Sequence, residues 1–365
     1  MGFTCGIVGL PNVGKSTLFN ALTSAGVPAE NYPFCTIDPN IGIVPLRDDR
    51  LDRIAAILRP EKVTPTVIEF VDIAGLVKGA SRGEGLGNQF LSHIREVDAI
   101  CHIVRCFDDP NVVHIHPGVD PRFDVELVET ELILKDLETV ERRLSEAQKR
   151  AKGGDKKNKM EVEYLAHLRD RLAAGRSAVP PAVQTPDEAE LFRELHLLSA
   201  KPVLFAANIA DAEIGREGAG VGELRKMAEE RHAPVVVLSA AIEAELASLP
   251  AAEQRDFLEG LGIPEAGLDR LVRAGYALLD LITFFTVNEK EARARTVKRG
   301  TTAPAAAGTI HTDFEKGFIR AEVMAGTDLF RLGSEHAVRE HGLLRSEGRD
   351  YIVQDGDIIL FRFHV

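Results

Sequence analysis

A glycine-rich stretch near the amino terminus has the residue types and spacing that bind a phosphate chain. Residues 9–17 read GLPNVGKST, a complete GxxxxGK[ST] pattern between an apolar run and a helical pattern. In such loops the backbone N–H groups surround phosphate oxygens, and the lysine ammonium neutralises the β and γ phosphates. The sequence therefore predicts a catalytic role for Lys15 and nucleotide contacts from Asn12, Val13, Gly14, Lys15, Ser16 and Thr17.

Oxygen-bearing side chains near this loop are predicted to hold Mg²⁺. The Ser16 hydroxyl is the direct ligand of the phosphate-loop pattern, and Thr36 lies in the connection where a second hydroxyl ligand is expected. Asp72 ends the apolar run 67–71 and is expected to reach the ion through water. Three residues later, Gly75 offers a backbone N–H to the γ-phosphate, which makes it a catalytic candidate. The glycine-rich run that follows is typical of a switch loop that orders on a triphosphate.

The group that orients the attacking water is the open part of the mechanism. Leu76 stands where Ras-like hydrolases carry a glutamine, and leucine cannot hydrogen-bond to water. One candidate is His114, because an imidazole titrates near neutral pH and can position water. The other is Asn12, at a loop position where related hydrolases use asparagine to help bind K⁺. The cofactors expected are therefore Mg²⁺ and, through the second route, K⁺.

The base-binding residues are predicted at the ends of two later strands. Asn208, Ile209 and Asp211 follow the apolar run 202–206, and Ser239 ends the next run. Guanine-specific proteins have a lysine where this chain has Ile209, and that lysine packs on the guanine ring. Asp211 still has the carboxylate that accepts from guanine N–H groups. The loss of the lysine therefore weakens the prediction of strong guanine selectivity.

Apolar runs alternate with helical patterns along most of the chain, which predicts an α/β fold with a parallel sheet covered on both sides. The runs are 4–8, 67–71, 99–104, 202–206 and 234–238. With 45% hydrophobic residues the chain is not disordered, and four cysteines without a CxxC pair argue against a disulfide framework or a structural zinc site. No apolar stretch is long enough for a membrane span, so a cytoplasmic protein is expected.

From about residue 124 to residue 200 the strand signals stop. Ile133, Leu137, Val140, Leu144 and Ala147 form a seam with coiled-coil spacing, and a second apolar stripe follows a glycine break. We expect a helical hairpin inserted into the α/β body. The last part of the chain has short, glycine-punctuated alternating runs, at 284–287, 317–322, 351–353 and 358–363, and is predicted to be a small mixed β domain. The predicted domains are 1–123 with 201–280, 124–200, and 281–365.

The tip of the predicted hairpin is strongly basic in a chain of net charge −12. Six of the eleven residues from 149 to 159 are cationic: Lys149, Arg150, Lys152, Lys156, Lys157 and Lys159. A projecting basic end fits contacts with RNA phosphates, so these residues are predicted to bind a partner that contains RNA.

Four segments together resemble the YchF family of Obg-like ATPases: 9–17, 31–40, 72–87 and 303–320. The resemblance covers essentially the whole chain. It implies a Ras-like P-loop NTPase domain with an inserted coiled coil and a C-terminal TGS domain of the α+β, β-grasp-like type. It also implies Mg²⁺-dependent hydrolysis of ATP in preference to GTP, and association with the ribosome. The family usually has Glu where this chain has Asp211, and the histidine matching His114 is a proposed catalytic group in the family.

Two classes of function remain open at this point. The chain is either an enzyme whose ATP hydrolysis times its release from the ribosome, or an adaptor that uses nucleotide only as a structural switch. A GTPase that acts in ribosome assembly or translation is the nearest further alternative. We expect a monomer.

Overall fold

The parallel strands predicted from the sequence form one sheet, and the glycine-punctuated end of the chain forms a second. The computed structural model describes residues 3–25, 40–73, 91, 93–109, 118–151, 155–179, 183–216 and 218–364. The strands are β1 (Phe3–Val8), β2 (Ile41–Pro45), β3 (Lys62–Thr64), β4 (Val67–Asp72), β5 (Ala99–Arg105), β6 (Val203–Asn208), β7 (Val235–Leu238), β8 (Leu281–Val287), β9 (Glu291–Lys298), β10 (Phe318–Ala325), β11 (Arg345–Glu347) and β12 (Asp357–Phe363).

The helices connect and cover these sheets. They are α1 (Lys15–Ala25), α2 (Asp49–Leu58), α3 (Pro121–Ala151), α4 (Lys156–Ala173), α5 (Pro186–Glu194), α6 (Ala219–Glu230), α7 (Ala240–Ser248), α8 (Ala251–Gly260), α9 (Gly267–Leu278), α10 (Ala303–Gly308), α11 (Thr312–Lys316), α12 (Gly326–Leu332) and α13 (Glu335–Glu340). No helix among these described residues is long and apolar enough to cross a membrane.

The first sheet has the order β2-β4-β1-β5-β6-β7. All its pairs are parallel except β2 with β4. The predicted α/β fold is confirmed, and the antiparallel edge strand β2 is an addition to it. Since the parallel strands run in one direction, the residues that follow β1, β4, β6 and β7 meet at one edge. That edge brings together the phosphate loop, Asp72, residues 208–211 and Ser239.

The insertion forms as a helical hairpin with a third helix against it. α3 is 31 residues long, about 46 Å, and its predicted seam packs on Leu165, Leu168 and Leu172 of α4. Leu191 of α5 and the following Leu195 join the same cluster. α5 begins with a complete capping box between Thr185 and Glu188.

The second sheet has the order β11-β10-β12-β8-β9-β3. It is mixed, as predicted: β8 pairs antiparallel with β9 and parallel with β12. One strand comes from far away in the chain, because β3 pairs parallel with β9. Helix α2 packs on the same sheet, since Leu51 and Ile54 are buried against Phe285 and Ile358. Residues 49–64 therefore contact the C-terminal sheet although they lie between two strands of the first.

Candidate functional site

The β1–α1 turn has the backbone shape of a phosphate-binding loop. Asn12 and Gly14 both have left-handed backbone conformations, with φ of 63° and 95°, and α1 begins at the next residue, Lys15. The Leu18 N–H donates to the Gly14 carbonyl over 3.0 Å, which closes the first helical turn. A Cβ at Gly14 would lie 2.2 Å from the Asn208 amide nitrogen, so only glycine fits.

Lys15 and Asp72 form an ion pair at the centre of the site. The Lys15 Nζ lies 2.5 Å from Asp72 Oδ1, and the two side chains are 12% and 22% exposed. Asp72 is held there because its N–H donates to the Asn40 carbonyl over 2.8 Å at the end of β4. The phosphate-loop cation and the predicted magnesium-associated carboxylate are therefore adjacent.

The oxygen donors available at this edge suit Mg²⁺. Ser16 and Thr17 are exposed on the first turn of α1, next to the Lys15–Asp72 pair in sequence and space. A hydroxyl and a carboxylate are hard oxygen ligands of the kind that Mg²⁺ combines with phosphate oxygens and water. Three predicted site residues, Thr36, Gly75 and His114, lie outside the described residues.

Asn208 joins the phosphate loop to the base-binding edge. Its Nδ2 donates to the Val13 carbonyl over 2.9 Å, and its Oδ1 accepts from the Ala240 N–H over 2.9 Å. The side chain is only 4% exposed. Asn208 therefore spans β6, the phosphate loop and the start of α7, which is a bracing role that the sequence motif alone did not specify.

The predicted base-reading carboxylate, Asp211, is held by its neighbour. The Ser239 hydroxyl donates to Asp211 Oδ1 and accepts from the Ile242 N–H over 3.4 Å. Ile209 is 6% exposed and packs in the apolar cluster between β6 and α6. The position that carries a ring-stacking lysine in guanine readers is thus occupied by a core side chain.

Sequence reasoning missed Glu213 and Arg105, which shape the loops around the site. Glu213 accepts from the Ala210 N–H over 3.1 Å and so fixes the base-motif turn. Arg105 is buried at the end of β5, donates to the carbonyls of Phe107 and Asp109, and lies over the Phe107 ring at 4.7 Å. The available signal for Arg105 was a charged residue at the end of a strand that is mostly apolar.

The basic hairpin tip is exposed in the part that the structure describes. Lys149, Arg150, Lys157 and Lys159 are all exposed. The Arg150 guanidinium is bound by both carboxylate oxygens of Glu161 at 2.8 Å, so its charge is partly neutralised. Lys156 begins α4, and Lys152 lies outside the described residues.

A phosphate loop between a buried parallel strand and a helix, on a sheet of this order, defines a P-loop nucleoside triphosphatase of the GTPase fold. A family profile described as "50S ribosome-binding GTPase" matches residues 4–132. A second profile, YchF-GTPase_C, described as "Protein of unknown function (DUF933)", matches residues 281–364.

Whole-chain comparisons agree with this class. The chain is 52% identical to the "Ribosome-binding ATPase YchF" of Bacillus subtilis (strain 168) and 53% identical to that of Haemophilus ducreyi, covering 100% of each chain. A solved structure of the Schizosaccharomyces pombe YchF GTPase superposes with a TM-score of 0.89 at 36% identity, over 99% of this chain and 98% of that one. The chain belongs to the YchF family, so the resemblance given by the four sequence segments is confirmed.

Proposed function

We propose that the protein is a Mg²⁺-dependent ATP hydrolase that binds the ribosome and switches its state with the bound nucleotide. The observation that carries this proposal is the Lys15–Asp72 pair at 2.5 Å, next to a phosphate loop braced by Asn208. Relatives at about half identity are named ribosome-binding ATPases, which supports both parts of the proposal. Bound Mg²⁺ would supply charge neutralisation on the phosphates, with Ser16, Thr36 and Asp72 as the residues that hold it.

ATP is the proposed substrate because Ile209 is buried and provides no cation to pack on a guanine ring. The test is competition of ATP and GTP against a fluorescent adenine nucleotide on the full chain with Mg²⁺. We expect ATP to displace the probe at lower concentration than GTP. A preference for GTP of about tenfold, roughly 1.4 kcal/mol, would reverse the assignment.

GTP is the second candidate, and one contact favours it. The Ser239 hydroxyl holds Asp211 at the base edge, so a carboxylate is oriented where guanine N–H groups would need an acceptor. The substitution Asp211→Asn distinguishes GTP from ATP as the preferred nucleotide. It should weaken GTP binding strongly, because an amide can no longer accept both guanine donors, and it should change ATP binding little.

Hydrolysis is proposed to use Lys15 and the Gly75 N–H on the phosphates and His114 or K⁺ at the attacking water. His114→Ala should lower the turnover number while leaving nucleotide affinity near that of the wild type, if the imidazole positions water. Exchange of K⁺ for Na⁺ tests the route through Asn12. A rate that responds to neither change would remove both groups from the mechanism.

Ribosome contact is proposed at the hairpin tip. Reversal of Lys149, Lys157 and Lys159 to Glu should reduce co-sedimentation with ribosomes and its dependence on salt, because fewer counterions are released. A matched variant reverses three exposed cations elsewhere: Lys226, Arg255 and Lys316. Equal loss in both variants would show that net charge, rather than the tip, governs binding.

Turnover measured with and without ribosomes distinguishes an enzyme that times release from an adaptor. Strong stimulation by ribosomes supports the timer that we propose. A rate that ribosomes leave unchanged supports the adaptor, in which hydrolysis is incidental.

A further inference from the structure

The connection between β2 and β4 is built into the C-terminal domain. β3 adds an edge strand to β9, and the Glu61 and Lys62 N–H groups donate to the carbonyls of Glu289 and Lys290 at 3.1 and 3.0 Å. Leu51 and Ile54 of α2 are 3% and 0% exposed against that sheet. Residues 49–64 of this connection are therefore held by the second sheet.

Polar contacts fix the same interface. The Arg50 guanidinium donates to Asp48 over 2.7 Å on its own side and to Asp355 over 2.8 Å on the C-terminal side. Asp355 also accepts from the Thr283 N–H over 2.9 Å, which ties it to β8. We call this set of contacts the Arg50 bridge.

Buried hydroxyls continue the polar contacts beneath the Arg50 bridge. The Thr66 and Thr296 hydroxyls lie 2.5 Å apart, and the Tyr276 hydroxyl lies 2.6 Å from that of Thr283. A cavity of about 1550 Å³ opens beside them, lined by Arg50, Tyr276, Thr283 and Asp355 among others. Specific polar contacts and an open cleft thus lie side by side at this interface.

The two strands that flank this connection, β2 and β4, extend to the phosphate site. β2 and β4 form an antiparallel ribbon over five residue pairs, 41–45 with 67–71, about 17 Å long. At one end of this ribbon, Asp72 contacts Lys15. At the other end, the Leu46 N–H donates to the Thr66 carbonyl over 2.9 Å, and the chain enters the C-terminal domain on both strands.

We propose that nucleotide binding at the phosphate site is energetically coupled to the docking of residues 49–64 on the C-terminal domain, through the β2–β4 ribbon. This inference rests on the proposed nucleotide binding. A Mg²⁺–triphosphate offers Lys15 new anionic partners and Asp72 a new cationic one, so it changes the force on the end of β4. A paired ribbon transmits a displacement because its hydrogen bonds fix the register of the two strands. Linkage then requires that a change at the Arg50 bridge alters nucleotide affinity.

The test compares substitutions on the two sides of the Arg50 bridge with a matched control. Arg50→Gln and Asp355→Asn each remove the charge pair far from the phosphate site. Arg299→Gln removes an exposed ion pair, with Asp280, that does not involve residues 49–64. Dissociation constants are measured by titration of each folded full-length chain with a fluorescent ATP analogue and Mg²⁺. We expect a change of about fivefold or more in both bridge variants and less than about twofold in the control.

Hydrogen exchange gives a readout in the unmodified protein. Saturating Mg²⁺–ATP analogue should change the exchange of amides in residues 49–64, and Arg50→Gln should reduce that change. Asp355→Asn provides the comparison if the Arg50 variant does not fold. Equal affinities in all variants, with unchanged exchange in residues 49–64, would overturn the coupling and leave the proposed function intact. Failure of the wild type to bind nucleotide would overturn both.

Discussion

At the scale of single residues, the phosphate loop depends on the absence of one side chain. Gly14 has φ of 95°, and an added Cβ would lie 2.2 Å from the Asn208 amide. Gly14→Ala should therefore cost about 1–2 kcal/mol for the left-handed backbone and about 1–2 kcal/mol more for the displaced Asn208 bond. We expect nucleotide binding to be lost as well. Urea unfolding and nucleotide titration measure the two effects.

The matched control for this substitution is Gly175→Ala. Gly175 also has a left-handed φ, of 70°, but none of the described residues beyond its chain neighbours comes within 4 Å of its added Cβ. It should show only the backbone cost and bind nucleotide normally. Equal destabilisation and equal binding in the two variants would contradict a specific role for the Gly14–Asn208 contact.

His102 should make stability depend on pH. It is 2% exposed beside Phe205, and its Nε2 has no hydrogen-bond partner among the residues that the structure describes. Burial lowers its pKa from 6.5 to about 4. The unfolded chain binds this proton first, so stability is lost as the pH falls from 6.5 towards 4. Between pH 7 and pH 5 the loss is about 2 kcal/mol.

The variant that tests this pH dependence is His102→Phe, which keeps a ring against Phe205 but cannot titrate. Denaturant unfolding at pH 7 and pH 5 should show that the unfolding free energy falls less in this variant than in the wild type. The same loss in both proteins would assign the acid sensitivity to other groups.

The site residues differ in how far the sequence could identify them. Lys15, Asp72, Asn208 and Ser239 follow local motifs at the ends of buried strands, and topology brings such ends together. Arg105 and Glu213 could not be found in this way, because their partners are backbone groups fixed only by the fold. Residues that contact a ligand can therefore be predicted from the sequence more readily than residues that hold the surrounding loops.

At the scale of elements, one buried carboxylate anchors the inserted hairpin. Asp136 of α3 is 0% exposed and accepts from the N–H groups of Leu198 and Ser199, each over 2.8 Å, and from the Ser199 hydroxyl over 2.7 Å. These bonds join the helix to the chain as it returns to the first sheet. Asp136 is therefore the positional anchor of the insertion.

Asp136→Ala should destabilise the protein by about 2–4 kcal/mol, because it leaves buried N–H groups without acceptors. Asp155→Ala, which removes the exposed cap at the start of α4, is the comparison and should cost about 1 kcal/mol. Thermal or urea unfolding measures both. If Asp136→Ala lowers the stability no more than Asp155→Ala does, the anchoring role of Asp136 is contradicted.

The strands differ in how far the sequence pattern could predict them. The five parallel strands of the first sheet were predicted because most residues on both faces of each strand are apolar. Four strands were missed, β2, β3, β9 and β11. β2, β3 and β11 are short edge strands, and β9 alternates small buried alanines with arginines. Residues 351–353 were predicted as a strand, but Ile352 makes only an isolated bridge with Thr302.

At the scale of the whole molecule, residues 49–64 lie between two strands of the first sheet but pack in the core of the second, so damage there should reach the C-terminal sheet. Ile54 is 0% exposed in the C-terminal core, and Ile54→Ala should cost about 2–4 kcal/mol. Hydrogen exchange should show that β8 and β12 lose protection in this variant. Val63→Ala, at a residue 41% exposed in the same segment, should cost less than about 0.5 kcal/mol. Undiminished protection of β8 and β12 in Ile54→Ala would contradict the packing of Ile54 in the C-terminal core.

The packing of residues 49–64 in the C-terminal core also constrains the order in which the protein folds during synthesis. Leu51 and Ile54 leave the translating ribosome early, but the strands that cover them, β8 and β12, are made some 230 to 300 residues later. At about 5–20 residues per second, these apolar side chains wait roughly 10–60 s for their cover. The amino-terminal half therefore cannot finish folding until the last strand has emerged, and a nascent chain stalled before residue 281 would expose them to chaperones and proteases.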